Sequence, residues 1–590
     1  MTVTNTVACP AEKDLLLRLL SALLREDVVG LRTRSTALER PDGAWLRLQA
    51  ADGDALELPI REDGFQYETR ARLPLLRRES DGMELSTADD ILAALGALAD
   101  PVDHDGFDAL ADECRQTLAT LRLHAVTHHE VIAMLGARHG TDPADWTGLA
   151  GGLAHDTLAA RLDHPVYPTA RGRLGLTTAQ LRAYAPEFNP RFALRWIALP
   201  KDAVTAQGVN GPADPADPWP TPSVLGLPDL DDSHLAIPVH PLTVGEPLRD
   251  ALRATGLDSR AVLSDRPYLE AVPTLSMRTV ALAAYPGIHL KLPLATATLG
   301  MRNRRTIKPG TLVDGAVVQR LLQTVIDHEP RFRDSILNAD ETRFAHAGHE
   351  LLAVLLRRCP AGLDDAVVVP MAALLSEAPG GRLLIDRLAD RFHGGDPLAL
   401  LDAVLTLLFD WQTTLFGYGI ALESHQQNIS LVLDTQAGRT RIRLLLKDND
   451  GPRINTVRMR AALGVEAPDP SEFDDARIFG DSDAPVVDLF TTITVHLCAG
   501  AYAFGLARHG RAPLDRLLNL VRDRLAEAVE RLGTRPGQPG AVLREHVLDA
   551  ARLPVKAMVT AGTLLTKERS GAVDINKHYT TGPNYLLREV

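Results

Sequence analysis

Cysteine is scarce in this chain. Cys9, Cys114, Cys359 and Cys498 are the only four in 590 residues, and their spacing fits neither a metal site nor a disulfide framework. Reduced thiols in a cytoplasmic protein are the expectation. Long apolar runs are missing as well: no stretch of 18 apolar residues occurs, which speaks against a transmembrane helix. Met1 to Pro10 has neither a basic start nor an apolar stretch, so no secretory signal is expected. Positive charge is in deficit, with a formal net charge of −13, which argues against a nucleic-acid binder. Familiar signatures are absent too. No G-x-x-x-x-G-K-[ST] loop occurs, and Gly417-Tyr-Gly419 has Leu422 where a third glycine would stand. His124 and His128 lie one helical turn apart, but without an H-E-x-x-H pattern they predict a surface or interface helix rather than zinc. With no G-x-S-x-G and no nominated cysteine, covalent enzyme catalysis is not suggested. A phosphate site here has to rest on side chains and metal.

What is present is globular composition, 45% apolar and 24% charged, at a length that implies roughly three to four domains. Residues 1–152 predict a mixed α+β unit. Leu15, Leu16, Leu19, Leu20, Leu23 and Leu24 make one helical face. Residues 45–48 and 56–58 flank Asp52-Gly53 as a hairpin, and Ser86-Thr-Ala-Asp89 resembles a capping box for a helix reaching about Ala99. Residues 105–138 are helical, and 148–152 mark a boundary. Residues 153–360 mix strands and loops, including an extended Pro-rich loop at 210–222. Residues 361–590 are mainly helical, at 398–416, 486–506 and 514–532, with a surface loop at 466–483 and a polar, turn-rich tail at 574–585.

The third segment is organised around a stretch from Gly417 to Arg453. Two apolar runs, Ile429-Ser-Leu-Val-Leu433 and Ile442-Arg-Leu-Leu-Leu446, are joined by Asp434-Thr-Gln-Ala-Gly438, which predicts a hairpin. A hairpin brings Asn428 and Asp448 to one place, with Glu423, His425 and Gln427 before them and Lys447 and Asp450 after. Carboxylate and amide oxygens suit Mg²⁺, which arrives with nucleotide phosphates. Kinase-like phosphotransferases hold metal by such an Asn and Asp. The bland alternative is a hairpin with polar ends in solvent.

Cations gather in the middle segment. Ser276, Arg278 and Thr279 are followed by Lys291 on an expected strand, then by Met301-Arg-Asn-Arg-Arg-Thr-Ile-Lys308. In an acidic chain this suits a polyanion, and arginine forks match phosphate oxygens. Two proline-stiffened turns present histidine: His164-Pro-Val-Tyr-Pro168, with Arg171 and Arg173 beyond it, and Pro238-Val-His-Pro241. Held imidazoles of this kind suit an organic polycarboxylate.

These residues resemble the IucA/IucC-type, NRPS-independent siderophore synthetases, over nearly the whole chain. The family's H-P-x-H-P-x-x-K-x-R-x-G is matched by His164 to Gly175, its P-x-H-P-W-Q by Pro238 to Thr243, and its S-x-R-T by Ser276 to Thr279. Its K-L strand is matched by Lys291-Leu292, E-x-H-x-Q-N by Glu423 to Asn428, and R-D-x-x-G by Lys447 to Gly451. The resemblance implies a mixed α+β cupped hand: thumb (1–152), fingers (153–360) and a mainly helical palm (361–590) around the ATP hairpin, often dimeric. It implies ATP and Mg²⁺, adenylation of a carboxylate, typically of citrate, and condensation with an amine or hydroxyl nucleophile. Ser276, Arg278, Thr279, Lys291 and Arg302 would then bind the triphosphate, and His425, Gln427 and Asn428 would line the ATP site. Glu423, Asn428 and Asp448 would serve the metal, with His425, Arg302 and Lys291 the catalytic candidates. His164, Arg171, Arg173 and His240 would face the acid.

Three departures fall in the acid pocket. Tyr167 replaces the second histidine, Arg171 the lysine, and Leu242-Thr243 the Trp-Gln pair. Adenylation is therefore a firmer expectation than citrate, and another polycarboxylate or a partly amidated citrate fits as well. The alternatives are a phosphotransferase using the same Asn428/Asp448 pair and a non-enzymatic carboxylate- or nucleotide-binding protein.

Overall fold

The computed structural model describes residues 10–50, 53–209, 218–571 and 578–588. Asp52 of the first expected turn, most of the Pro-rich loop and residues 574–577 of the tail lie outside them. The leucine face forms the helix Pro10–Arg25 and is buried. Strands Gly43–Gln49 and Ala55–Glu62 pair as expected within a six-stranded sheet. The helix Ala88–Gly96 is capped by Thr87, whose hydroxyl accepts the Asp90 N–H, one residue later than the pattern suggested.

Residues 148–152, expected at a boundary, open the buried helix Gly148–Ala160. Glycine is required there by contact: a Cβ on Gly151 would lie 2.4 Å from the Trp146 carbonyl oxygen. The helix packs on strand Val367–Pro370, and Asp156 within it accepts the Leu275 N–H.

Two hydrophobic cores dominate. The larger runs from Leu15 through the helices of residues 384–543 to Leu586, so both ends of the described chain share one interior. Glu26 joins them, accepting the N–H groups of Val559 at 3.1 Å and Thr560 at 2.8 Å. The smaller core lies between residues 194 and 356. It underlies a seven-stranded sheet ordered Phe192–Ala193, Glu270–Pro273, Thr279–Leu282, Tyr285–Lys291, Ala353–Arg358, Asp340–His346, Thr205–Gln207.

The hairpin strands are Ile429–Gln436 and Arg439–Leu446, longer than the apolar runs. Their turn is two residues, Ala437 and Gly438, both with positive φ (50° and 76°), as a tight hairpin requires. The extra length is held by Asp434, which pairs with Arg441 at 2.8 Å and Arg443 at 2.6 Å. The polar tail is not all turn, since Tyr579–Pro583 pairs with strand Arg552–Lys556.

Two helical stretches, Pro397–Gly417 and Ala484–Arg508, are long and apolar enough by composition to cross a membrane, but both pack largely inside the fold. Residues 490–500 of the second are π-helical. The segment before the hairpin is anchored there: Gln426 Nε2 donates to the Leu497 carbonyl at 2.5 Å, and Cys498 Sγ to the Ser424 carbonyl at 3.3 Å.

Candidate active site

The two main sheets meet at Ala339. Ile336–Asn338 runs parallel to the second hairpin strand, and Asp340–His346 begins in the seven-stranded sheet. This places Glu341 at the hairpin's open end, where its two oxygens accept the Asp448 N–H at 2.9 and 3.0 Å. Asp448 has φ 61°, a conformation that costs a side-chain-bearing residue on the order of 1 kcal/mol. Glu341 in turn pairs with Arg357 on the neighbouring strand.

Lys291 ends its strand opposite Thr279. Its Nζ reaches Asp448 Oδ1 at 2.5 Å and Asp450 Oδ2 at 3.0 Å. Burial alone would raise the Asp448 pKa, but Lys291, Arg357 and Arg278 outweigh it and hold the carboxyl well below the usual range. Arg278 donates from Nη1 to the Thr306 carbonyl at 2.6 Å, while its buried Nε has no hydrogen-bond partner among the described residues. Arg305 lies within electrostatic reach of Arg278, Asp448 and Arg173; burial first, then Arg278, lowers its pKa to about 9. The Ser276 and Thr279 hydroxyls are 3.5 Å apart at the edge of this wall. Cations thus converge from three separate stretches onto the end of the hairpin.

Three predicted histidines share one electronic state. Nδ1 accepts a backbone N–H from Tyr167 in His164 (3.0 Å), from Leu242 in His240 (3.1 Å) and from Gln427 in His425 (3.2 Å). In the neutral ring this leaves Nε2–H as a donor. Burial lowers the pKa of His164 to about 3, with His425, Arg25 and Lys556 adding to it. Burial, then Lys556, lowers His425 to about 4. Both imidazoles are therefore neutral near pH 7. His164, His425 and Lys556 stand within electrostatic reach of one another, joining the first histidine turn to the hairpin.

Other predicted residues serve the frame. Arg171 is buried and donates Nε to Asp163 at 2.9 Å, Nη1 to the Ala160 carbonyl at 2.6 Å and to His124 Nδ1 at 3.0 Å, and Nη2 to the Arg161 carbonyl. It holds the turn instead of facing a ligand. His124, expected at a surface, is the buried acceptor of that arginine; burial and then Arg171 push its pKa down to about 2. Arg173 pairs with buried Glu187 at 2.6 Å. His240 is buried between Tyr184 and Phe192, with ring centroids 5.4 and 5.1 Å away. Arg302 donates to the carbonyls of Thr563, at 3.0 Å, and Leu565, so it grips the C-terminal segment.

Sequence reasoning missed Glu341, Arg357 and Lys556. Lys556 lies 3.6 Å from Glu423 Oε1. Its signal was a lysine inside the apolar run Leu553-Pro-Val-Lys-Ala-Met558. The donors proposed for metal are hard oxygens, which suits Mg²⁺. Asn428 donates its amide to the Glu423 carbonyl at 3.0 Å, which leaves its amide oxygen as the group to offer. Among the described residues no three acidic, histidine or cysteine side chains form a ready metal cage.

The model of the IucA / IucC family matches residues 156–376, and that of the Ferric iron reductase FhuF-like transporter family matches residues 399–571. Staphyloferrin A synthase of Staphylococcus aureus is 25% identical over 423 residues, 67% of each chain. The petrobactin biosynthesis protein AsbB of Bacillus anthracis superposes with TM-score 0.75 at 17% identity, over 98% of this chain and 95% of that one. ATP-bound aerobactin synthetase IucA of Klebsiella pneumoniae gives 0.68 at 18%, over 98% and 100%. The first family match spans the His164, His240, Ser276 and Lys291 motifs, so residues 156–376 belong to the IucA / IucC family, and the structural likeness shows that nearly the whole chain shares the fold of these synthetases.

Proposed function

We propose that the chain is an ATP-dependent ligase of siderophore assembly, acting on citrate or a related polycarboxylic acid. A carboxylate oxygen attacks the α-phosphorus of ATP, the α–β bridging bond breaks, and pyrophosphate leaves. The nitrogen or oxygen of a nucleophile then attacks the acyl carbon, the acyl–phosphate bond breaks with AMP leaving, and the nucleophile's proton is lost. The observation that carries this is the convergence of Lys291, Arg278 and Arg305 on Asp448, beside neutral His425 and His164.

The first step joins two anions, so its barrier is largely electrostatic and fixed cations lower it. Arg278, Lys291 and Arg305 supply them; Arg302 positions the loop through its carbonyl contacts. Ser276 and Thr279 donate hydroxyls at the wall's edge, and Gln427 and Asn428 line the nucleotide side. Mg²⁺, held through Asp448, Asn428 and Glu423 when bound, would further neutralise the phosphates. The attacking acid is already ionised and needs no base. His425 and His164 therefore serve as Nε2–H donors that orient a carboxylate, with Lys556 as its counter-charge. Arg171, Arg173 and His240 shape that pocket from behind. The same proposal includes a cupped hand of thumb, fingers and palm, working as a cytoplasmic homodimer.

The test is product analysis with ATP, a panel of polycarboxylic acids, and amines or alcohols. AMP and pyrophosphate are expected, and Asp448→Ala should abolish turnover. ADP as the product would instead support the phosphotransferase reading, and full turnover by the alanine variant would remove Asp448 from the mechanism.

A further inference from the structure

Asp448, the carboxylate proposed for the metal, is held from outside its own hairpin. At the open end two successive amides part. The Lys447 N–H donates to the Asn428 carbonyl at 3.1 Å and closes the ladder, while the Asp448 N–H turns to Glu341. Asp448 makes that turn with φ 61°, a left-handed conformation that a side-chain-bearing residue keeps only where its surroundings fix it.

Glu341 reaches the amide by way of a bulge. Its strand pairs Asp340 with Arg358 and Arg343 with Leu356, so residues 341 and 342 stand opposite Arg357 alone. Asp340 Oδ1 fixes the extra residue by accepting the Thr342 N–H at 3.0 Å and the Thr342 hydroxyl at 2.8 Å. A bulge re-aims a side chain, and this one stands where the chain passes from the hairpin sheet into the seven-stranded sheet.

A neutral acceptor would hold the N–H as well. The charge on Glu341 has a second effect, because it draws Arg357 Nε to itself. Arg357 Nη2 is left 3.6 Å from Asp448 Oδ1, buried and without a hydrogen-bond partner among the described residues. Glu341 and Arg357 are both buried, so neither charge is screened by solvent. With its charge met by Glu341, Arg357 favours the ionised Asp448 through its field and does not close on it.

We propose that Glu341 is the positioning residue of the metal carboxylate. It fixes the Asp448 backbone in the left-handed turn and restrains Arg357, so that Asp448 stays open to a divalent cation. Without the Glu341 charge, Arg357 moves onto Asp448 and competes with the ion. This rests on the assignment of Mg²⁺ to Asp448 in the ligase reading.

The test is calorimetry of ATP binding to the full-length enzyme, with saturating Mg²⁺ and with EDTA. In the wild type Mg²⁺ should tighten ATP binding. Glu341→Gln keeps an oxygen for the Asp448 N–H but no charge for Arg357. Its Kd with Mg²⁺ should rise at least about tenfold, the range for removing the partner of a metal-binding carboxylate, while its Kd in EDTA stays within about twofold. Glu341→Asp keeps the charge one methylene short and should show a loss of about threefold or more, again only with Mg²⁺. Equal losses with and without Mg²⁺, or no loss in either variant, would overturn the positioning role, since a residue that only supports the fold acts on both. Should the glutamine variant fail to fold, the aspartate variant decides. No effect of Mg²⁺ on the wild type would overturn the metal assignment and this role with it, while product analysis judges the ligase separately.

Discussion

Lys291 Nζ bridges Asp448 Oδ1 and Asp450 Oδ2, at 2.5 and 3.0 Å, from a strand more than 150 residues earlier in the chain. One ammonium thus ties Asp448, the carboxylate proposed for the metal, to Asp450. Lys291→Met should lower kcat by about 10² or more, the range seen when a preorganised charge is removed. It also leaves two half-buried carboxylates without their shared ammonium, so Mg²⁺ should raise the melting temperature of the variant more than that of the wild type. Equal Mg²⁺-dependent shifts would show that the pair does not take the ion.

Arg171 spends its donors on Asp163, two carbonyls and His124. Lysine cannot span that fork. Arg171→Lys should destabilise the fold by about 2–3 kcal/mol, because buried acceptors lose charged donors. In urea unfolding at pH 7 the midpoint should drop. An unchanged midpoint would mean that the turn stands without the fork.

Gly106 marks a close crossing. A Cβ there would lie 2.0 Å from the Leu564 carbonyl oxygen, which is backbone and cannot step aside as a side chain can. Gly106→Ala should cost about 2 kcal/mol or more. By pushing residues 563–565 away it should also loosen Arg302 and lower activity at temperatures where the fold is intact. Thermal melts paired with turnover at 20 °C would read both effects.

Acid should unfold the protein through its histidines. His496 is buried, with Nε2 3.0 Å from the Pro554 carbonyl and Nδ1 2.9 Å from the Tyr585 hydroxyl, and burial lowers its pKa to about 4. The unfolded chain takes the proton near pH 6.5 and the folded chain does not, so stability is full above about pH 6.5 and is lost as pH falls towards 4. At pH 5 this one group accounts for about 2 kcal/mol. Denaturation midpoints between pH 7 and 4.5 should fall steeply in the wild type and less steeply in His496→Gln.

The hairpin was legible because its apolar runs are strand-like, yet its length was not. Asp434, Arg441 and Arg443 extend it by ion pairs that hydropathy cannot see. Lys291 and Asp448 were both legible as candidates, but the link between them depends on Glu341 and Arg357, which sit inside ordinary-looking strands. Arg171 illustrates the opposite error. A cation in a proline-rich turn looks available for ligand, and only the fold reveals the carbonyls that surround it. Glycines at 148–152 read as a boundary because sequence shows their freedom and hides the backbone pressed against Gly151.

The larger core has a temporal consequence. Glu26, just after the first helix, closes against Val559 and Thr560. During synthesis, at about 5–20 residues per second, roughly half a minute to two minutes separate those partners. The leucine face can settle early on strand Thr69–Ala71 and helix His104–His139, but the Glu26 carboxylate must wait for nearly the last residues to be made. The middle sheet, complete by residue 358, can fold on its own schedule. Truncation at residue 550 should therefore strip the Glu26 carboxylate of its N–H partners and make the N-terminal segment more protease-sensitive than the middle sheet.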